Sequence, residues 1–452
     1  MIEAKATQIL LEQTLNTLSS KQHALSHTHI ASFSGLEAAL SKINALINTT
    51  VNDILHHDDF QSLEANYRGV QRLFINEGQP TSIRIKLFNI SKKALSKEAA
   101  RSVSLERSTL YKKVYTAGFD HAGAHPFNVL IGAYAFDHQT PDIQSLHYLG
   151  QLAEKAFAPF IACAKPSLLG LEDWRSLNEL NHISPIFNGP EHSAWQGLRE
   201  QRYARFITLT LPRVIARPQY TAETQGIDET IENDQDICWM NASFHLAECM
   251  IRAHQRFGWT TAIRGREGGG KIDRLPIIPR KQGEAFCPAE VGLSDEQEAE
   301  LSHAGLLPFC HYKHTDYGVF FGAQTLYKPA LYNTEEASAN ERIAARLPYV
   351  LATSRIAHYL KIMARDKIGS FMEASDCEIW LNQWLLNYVN ANAGVKQRLK
   401  SKFPLAEARV NIVEDKSNPG RFQAVAWLRP WLQLEQLSAS LRLVADIPNG
   451  SR

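Results

Sequence analysis

The segment Gly265-Arg266-Glu267-Gly268-Gly269-Gly270-Lys271 has the GxxxxGK spacing of a phosphate-binding loop and follows Trp259–Ile263, which reads as a strand. In such a loop backbone N–H groups cradle phosphate, the lysine reaches the outer oxygens, and a following Ser or Thr holds magnesium. Here Ile272 stands where the hydroxyl is needed. Pro276 and Pro279 oppose the helix whose N-terminus would face the phosphate. The block therefore reads as a tight loop with glycines at positive φ, and nucleotide binding through Gly265–Lys271 is kept as an alternative.

Histidines gather at His23/His27/His29, at His56-His57 and at His311/His314. His23 and His27 are four apart, the spacing of two metal ligands on one helix face, but no Cys or carboxylate completes a set. His57-Asp58 has the order of a phosphohydrolase dyad, yet it falls where an aspartate would cap a helix. Cys310-His311 would be a thiol beside a base, but neighbours on a strand point to opposite faces. No catalytic residue, metal ligand set or cofactor site is assigned. The six cysteines form no CxxC pair and read as reduced, buried thiols.

The elements around these residues change character along the chain. Leu36, Leu40, Ile43, Ile47, Val51, Ile54 and Leu55 repeat at three and four, and Phe60, Leu63, Tyr67, Val70 and Phe74 continue as a second inward helical face. This predicts a helical hairpin over 34–80 after an arm and linker over 1–33. Ile83–Leu87, 129–136, 159–163, 207–211, 259–263 and 317–324 read as strands, alternating with helical stretches. That pattern predicts an α/β body over 81–330, mainly a parallel sheet with helices on both faces. An insertion near 214–236 carries six acids and no base over 221–236, and reads as an exposed segment.

The region 331–452 begins with two long helices, near 335–366 and 376–391. Then Ala406, Ala408, Val410 and Ile412 alternate with polar residues. After Asn418-Pro419-Gly420 come a second strand with Ala424 and Ala426 and a third with Leu441 and Leu443. This is a small antiparallel sheet whose edges need pairing or covering. His29-Ile30-Ala31-Ser32-Phe33 is suited to adding to a sheet as an extended strand.

The chain has 452 residues, 48 Lys plus Arg against 47 Asp plus Glu, and a net charge of +1. That balance argues against a surface built to grip nucleic acid or an anionic membrane. The N-terminus lacks the basic and apolar regions of a secretion signal, and no run of apolar residues is long enough to span a bilayer. The local excess of eight bases over two acids in 251–281 is best matched by opposite charge within or between chains.

Long ordered blocks then carry a resemblance: ILHHDDFQSLEANYRGVQRLF (54–74), LYKKVY (110–115), PFNVLIGAYAF (126–136), RYARFITLTLPRVIARPQY (202–220), GWTTAIRGREGGGKIDRLP (258–276), KHTDYGVFFGAQTLYKPALY (313–332), RLPYVLATSRIAHYLKIMARDKIGSFM (346–372) and AVAWLRPWLQLEQLSASLRLVADIP (424–448). Over about 35–448 the chain resembles the large subunit of the type VI secretion contractile sheath, the TssC/VipB family. The resemblance implies a structural protein, not an enzyme. It implies pairing with a small TssB/VipA-like sheath subunit and a helical polymer of many copies around an inner tube of hexamers. The polymer would start on a baseplate, contract, and be dismantled by a ClpV-type AAA+ unfoldase. It would lie in the bacterial cytoplasm, with no nucleic acid and no membrane insertion. It also implies exchange of strands between neighbours, with His29–Phe33 as the arm. The receiving sheet would carry Ala408, Val410, Ile412, Ala424, Ala426, Leu441 and Leu443. Arg355, Lys361, Arg365 and Lys367 are the expected contact with the tube or a neighbour. The same resemblance leaves a phage-tail-like contractile particle as the second reading.

Overall fold

The computed structural model describes residues 29–77, 83–102, 104–119, 123–180, 182–278, 287–367, 374–392, 397–414, 422–431 and 441–446. The chain divides into two compact units: one holds the described chain up to Phe60 with Tyr220–Asp236, and the other holds Gln61–Gln219 with Ile237 onward.

In the first unit, helix α1 runs from His29 to Leu55. It includes His29–Phe33, so the segment expected as an extended arm strand is helical in the isolated chain. The acidic stretch is not loose. Asn52 donates from Nδ2 to the Asp228 carbonyl (2.9 Å) and accepts at Oδ1 from the Thr230 N–H (2.7 Å). Its carboxylates serve as local caps: Asp228 accepts from the Ala222 N–H, and Asp236 from those of Glu232 and Asn233. An Asx side chain that binds nearby backbone in this way replaces the order a hydrophobic face would give.

Helix α2 spans Asp58–Glu77. From Gln61 on it belongs to the second unit, and its inward face differs from the expected one. Leu63, Tyr67 and Phe74 are exposed, whereas Glu64, Ala65 and Leu73 are buried. The cause is close helix packing at Gly69, where an added Cβ would stand 2.4 Å from the Phe244 ring. Ion pairs then fill the interface: Arg217 to Glu64 (2.8 Å) and Arg72 to Glu248 (2.8 Å). Ile83 and Ile85 pack against this cluster without joining a sheet, so the strand expected at Ile83–Leu87 is not formed.

The body contains α3 (Lys92–Arg101), β1 (Leu130–Phe136), α4 (Thr140–Ala156), β2 (Phe160–Ala164), α5 (Ser193–Arg199) and β3 (Ile207–Leu211). It continues with β4 (Val214–Ile215), β5 (Trp239–Met240), α6 (Ser243–Phe257), β6 (Lys271–Ile272), α7 (Asp295–His303), β7 (Leu307–Pro308), β8 (Cys310–His311) and β9 (Gly318–Val319). Strands β1, β2, β3 and β7 lie in that order in one sheet, and every pairing is parallel. Each residue of β2 and β3 is buried, as a sheet covered on both faces requires. Phe160 and Ala162 join one core with Leu146, Leu149 and Leu152 of α4. Ile161 joins another with Leu246, Cys249 and Met250 of α6. The alternation of side chains along β2 thus separates the two cores.

Trp259–Ile263, expected as a strand, is irregular, and only Gly318–Val319 of the expected 317–324 strand is in a ladder. The expected single helix near 335–366 is two, α8 (Glu335–Ala344) and α9 (Leu347–Lys367). Pro348 starts the second, where its missing N–H costs nothing, and the Leu347 N–H turns out to the Ala323 carbonyl (2.9 Å). Then come α10 (Ala374–Leu386), α11 (Gln397–Lys402), β10 (Leu405–Glu414), β11 (Phe422–Pro430) and β12 (Leu441–Asp446). The last three form an antiparallel sheet in the order β10-β11-β12.

Candidate assembly interface

The C-terminal sheet buries one face. Val410, Ala424 and Ala426 pack with Leu405 and Leu428 against Leu381 and Leu385 of α10 and Ile356 and Leu360 of α9, with Ala408 and Ile412 partly buried beside them. Period-two alternation puts Ala408, Val410 and Ile412, and Ala424, Ala426 and Leu428, on one side, and a register shift between Leu405 and Glu407 lets Leu405 join them. Leu441 and Leu443 pair with Leu428 and Ala426 through the backbone; their side chains lie outside the described residues.

The two edges of this sheet are unlike. Along β10, Asn382 of α10 donates to the Val410 carbonyl (2.6 Å) and accepts from the Val410 N–H (2.9 Å). Glu378, one turn earlier, accepts from the Ile412 N–H (2.9 Å). Near the start of β10 the Leu405 carbonyl accepts from the Asn390 N–H (2.9 Å), and Val389 forms a bridge with Leu405. Outward backbone groups of Leu405, Val410 and Ile412 are therefore occupied by the chain itself, which opposes pairing of another strand along this stretch of β10. β12 is the opposite edge.

The register says which β12 groups face outward. The two groups of Val410 point away from β11, so Val410↔Ala426 is a non-hydrogen-bonded pair. Ala426 then bonds Leu443, and alternation turns the N–H and C=O of Arg442 and Val444 away from β11, toward the side on which no strand pairs among the described residues.

Three basic residues of α9 are engaged within the chain. Arg355 stacks 4.8 Å from the Trp259 ring centroid and donates to the Gly258 carbonyl. The Lys361 ammonium lies 5.1, 5.0 and 4.9 Å from the ring centroids of Tyr115, Phe119 and Phe157. Arg365 donates to the Phe119 carbonyl (2.9 Å). In the isolated chain, aromatic rings and carbonyls from the body hold these three groups. The Lys367 side chain lies outside the described residues.

The glycine-rich loop is also self-satisfied. The Gly270 N–H donates to the Gly265 carbonyl (3.0 Å), and the Gly265 N–H to that of Phe320 (2.7 Å). Gly269 has φ +102°, and a Cβ there would stand 2.1 Å from the Ala262 carbonyl oxygen. Lys271 lies 4.3 Å over the Tyr317 ring and pairs with Asp273, and the loop feeds strand β6 rather than a helix. These are requirements of a tight loop, and they run against the phosphate reading. The His311 ring bonds the Thr315 carbonyl (2.8 Å), and burial pushes the Cys310 thiol up to about 12, so the adjacent pair is not an activated thiol.

Two family models match this chain: "EvpB/VC_A0108, tail sheath N-terminal domain" over residues 37–327 and "EvpB/VC_A0108, tail sheath gpW/gp25-like domain" over 336–447. The chain belongs to the EvpB/VC_A0108 tail sheath family. The second match covers α8 to β12, the region with the two unlike edges. A relative in Pseudomonas aeruginosa, "Type VI secretion system sheath protein TssC1", is 38% identical over 97% of this chain and 91% of its own length. Among solved structures, the anti-feeding prophage baseplate has a chain with TM-score 0.44 at 11% identity, covering 82% of this chain and 79% of that one. A contracted extracellular injection system sheath gives TM-score 0.37 at 12% identity, over 65% and 68%. As a member of this family, the chain is a contractile sheath subunit.

Asn382 and Glu378 were missed in the sequence. The only signal was two polar residues four apart in the apolar run of α10, which reads equally as a solvent face.

Proposed function

We propose that this chain is the large structural subunit of a type VI secretion sheath, and that it joins its neighbours by accepting a strand at the β12 edge. The observation that carries the second part is the asymmetry of the C-terminal sheet: Asn382 and Glu378 hold backbone groups of β10, while Arg442 and Val444 turn theirs to the side of β12 on which no strand pairs among the described residues. Strand addition is local backbone bonding, so subunits linked this way stay attached while their bodies rotate. The relative's type VI designation, at 38% identity over nearly the whole chain, supports this over a phage-tail-like particle.

In this reading a small sheath subunit completes the building block, an inner tube of hexamers fills the lumen, and a baseplate in the cell envelope starts the polymer. The chain works in the cytoplasm, and a ClpV-type unfoldase recovers spent subunits. The chain does no chemistry of its own. Contraction draws on the difference in free energy between two packings of the same subunits. Among the described residues no helix is long and apolar enough to cross a membrane.

Co-expression with a small sheath subunit, followed by electron microscopy, tests the proposal. Long hollow tubules are expected. Discrete soluble heterodimers, under conditions where related pairs polymerise, would contradict it.

A further inference from the structure

Away from the C-terminal sheet, three side chains from two elements converge on one point. Glu296 and Glu300 lie four residues apart on α7, and His182 comes from the loop between the turns Arg175–Glu179 and Ile186–Asn188. One donor atom from each lies within 4.8 Å of the other two. The His182 Nδ1 to Glu300 Oε1 distance is 3.6 Å. Ligands about 2.0–2.1 Å from a tetrahedral zinc ion sit roughly 3.4 Å from one another. That pair is therefore already near ligand spacing, with a Glu296 carboxylate oxygen within 4.8 Å of both.

The site is also braced. The other oxygen of Glu300, Oε2, accepts from the Ile183 and Ser184 N–H groups. It thereby fixes the carboxylate with Oε1 toward His182. Gln297, between the two glutamates, donates to the Leu177 carbonyl (3.1 Å) and ties the same loop to the same helix. Ligands oriented by such outer bonds lose little freedom on binding a metal. His182 is 68% exposed, so an ion has a path in.

We propose that His182, Glu296 and Glu300 form a site for a divalent transition metal, with zinc the best match to one imidazole and two carboxylates. A fourth position is left for water. The ion would staple the 175–188 loop to α7, whose chain runs directly into β7 of the parallel sheet. It would therefore stiffen the body rather than react.

The test is calorimetric titration of the full chain, stripped with EDTA, with zinc chloride. One saturable equivalent is expected, with affinity at least about tenfold weaker in His182→Ala and in Glu296→Gln. Glu296→Gln matters most, because it leaves the Glu300 bonds to Ile183 and Ser184 in place and so preserves the loop. A zinc-dependent rise in melting temperature should appear in the wild type and vanish in both variants. No saturable uptake would overturn the proposal. So would uptake that both variants retain at wild-type strength, which would place the ion on other histidines.

Discussion

Asn382 holds both backbone groups of Val410, giving a hydrogen bond of 2.6 Å to its carbonyl and receiving one of 2.9 Å from its N–H. One side chain on a helix thus does for an edge strand what a neighbouring strand would do. Val410 is fully buried, so removing the amide strands two polar groups away from water. Asn382→Ala is expected to cost about 1–3 kcal/mol in denaturant unfolding. It should also expose β10 to pairing, seen as aggregation on co-expression. Unchanged stability would mean that water or another side chain replaces the amide.

Lys361 is expected to matter for packing rather than for a charged contact. Its ammonium is enclosed by Tyr115, Phe119 and Phe157. Lys361→Met keeps the apolar stem and should lose about 1–2 kcal/mol of stability. Tubules should still form, at low and high salt alike. Loss of assembly with stability intact would restore the residue to an interface.

His358 carries a defined pH dependence. Its Nε2 lies 2.8 Å from the Ala156 carbonyl and its Nδ1 3.2 Å from Asn128 Nδ2, which suits a neutral ring that donates to one and accepts from the other. Burial, aided by the charges of Lys361 and Arg355, lowers its pKa from 6.5 to about 4. The unfolded chain then binds the proton more readily between those values. The contribution to stability is present above pH 6.5 and is lost as pH falls toward about 4, on the order of 3 kcal/mol in all. Burial shifts His245, His254 and His311 the same way. The readout is therefore the difference between wild type and His358→Gln in urea midpoints at pH 7 and pH 5. The variant should lose less on acidification, and equal losses would refute the assignment.

Gly269→Ala should disrupt the loop that nucleotide chemistry would have needed. At φ +102°, with a carbonyl oxygen 2.1 Å from the new Cβ, the backbone must move. A loss of at least about 1 kcal/mol is expected, without any change in ATP binding relative to the wild type. Wild-type micromolar ATP affinity that Lys271→Ala abolishes would contradict this account of the loop.

Much of the fold was legible where burial alone decides it. Phe160–Ala164 and Ile207–Leu211 are short apolar runs, and both are central parallel strands. The alternation Ala408, Val410, Ile412 likewise placed the C-terminal sheet and its core face. The inward face of α2 was not legible, because Gly69 and the Glu64 and Arg72 ion pairs set it, and their partners Phe244, Arg217 and Glu248 are over a hundred residues away. Trp259–Ile263 looked like a strand but has no ladder, since Trp259 serves Arg355 and the C-terminal core instead. The basic spacing of α9 suggested an outer face for the same reason: the rings that absorb Lys361 come from residues far earlier in the chain. Local pattern cannot report such partners.

If subunits join at the β12 edge, Val444→Pro should break the joint. Its N–H points away from β11, so proline there removes an outward donor while sparing the bonds to β11. The measurement is tubule length by electron microscopy after co-expression with the small subunit, alongside a check that the heterodimer still purifies. Intact heterodimers are expected, with tubules absent or much shortened. Full-length tubules from Val444→Pro would contradict it.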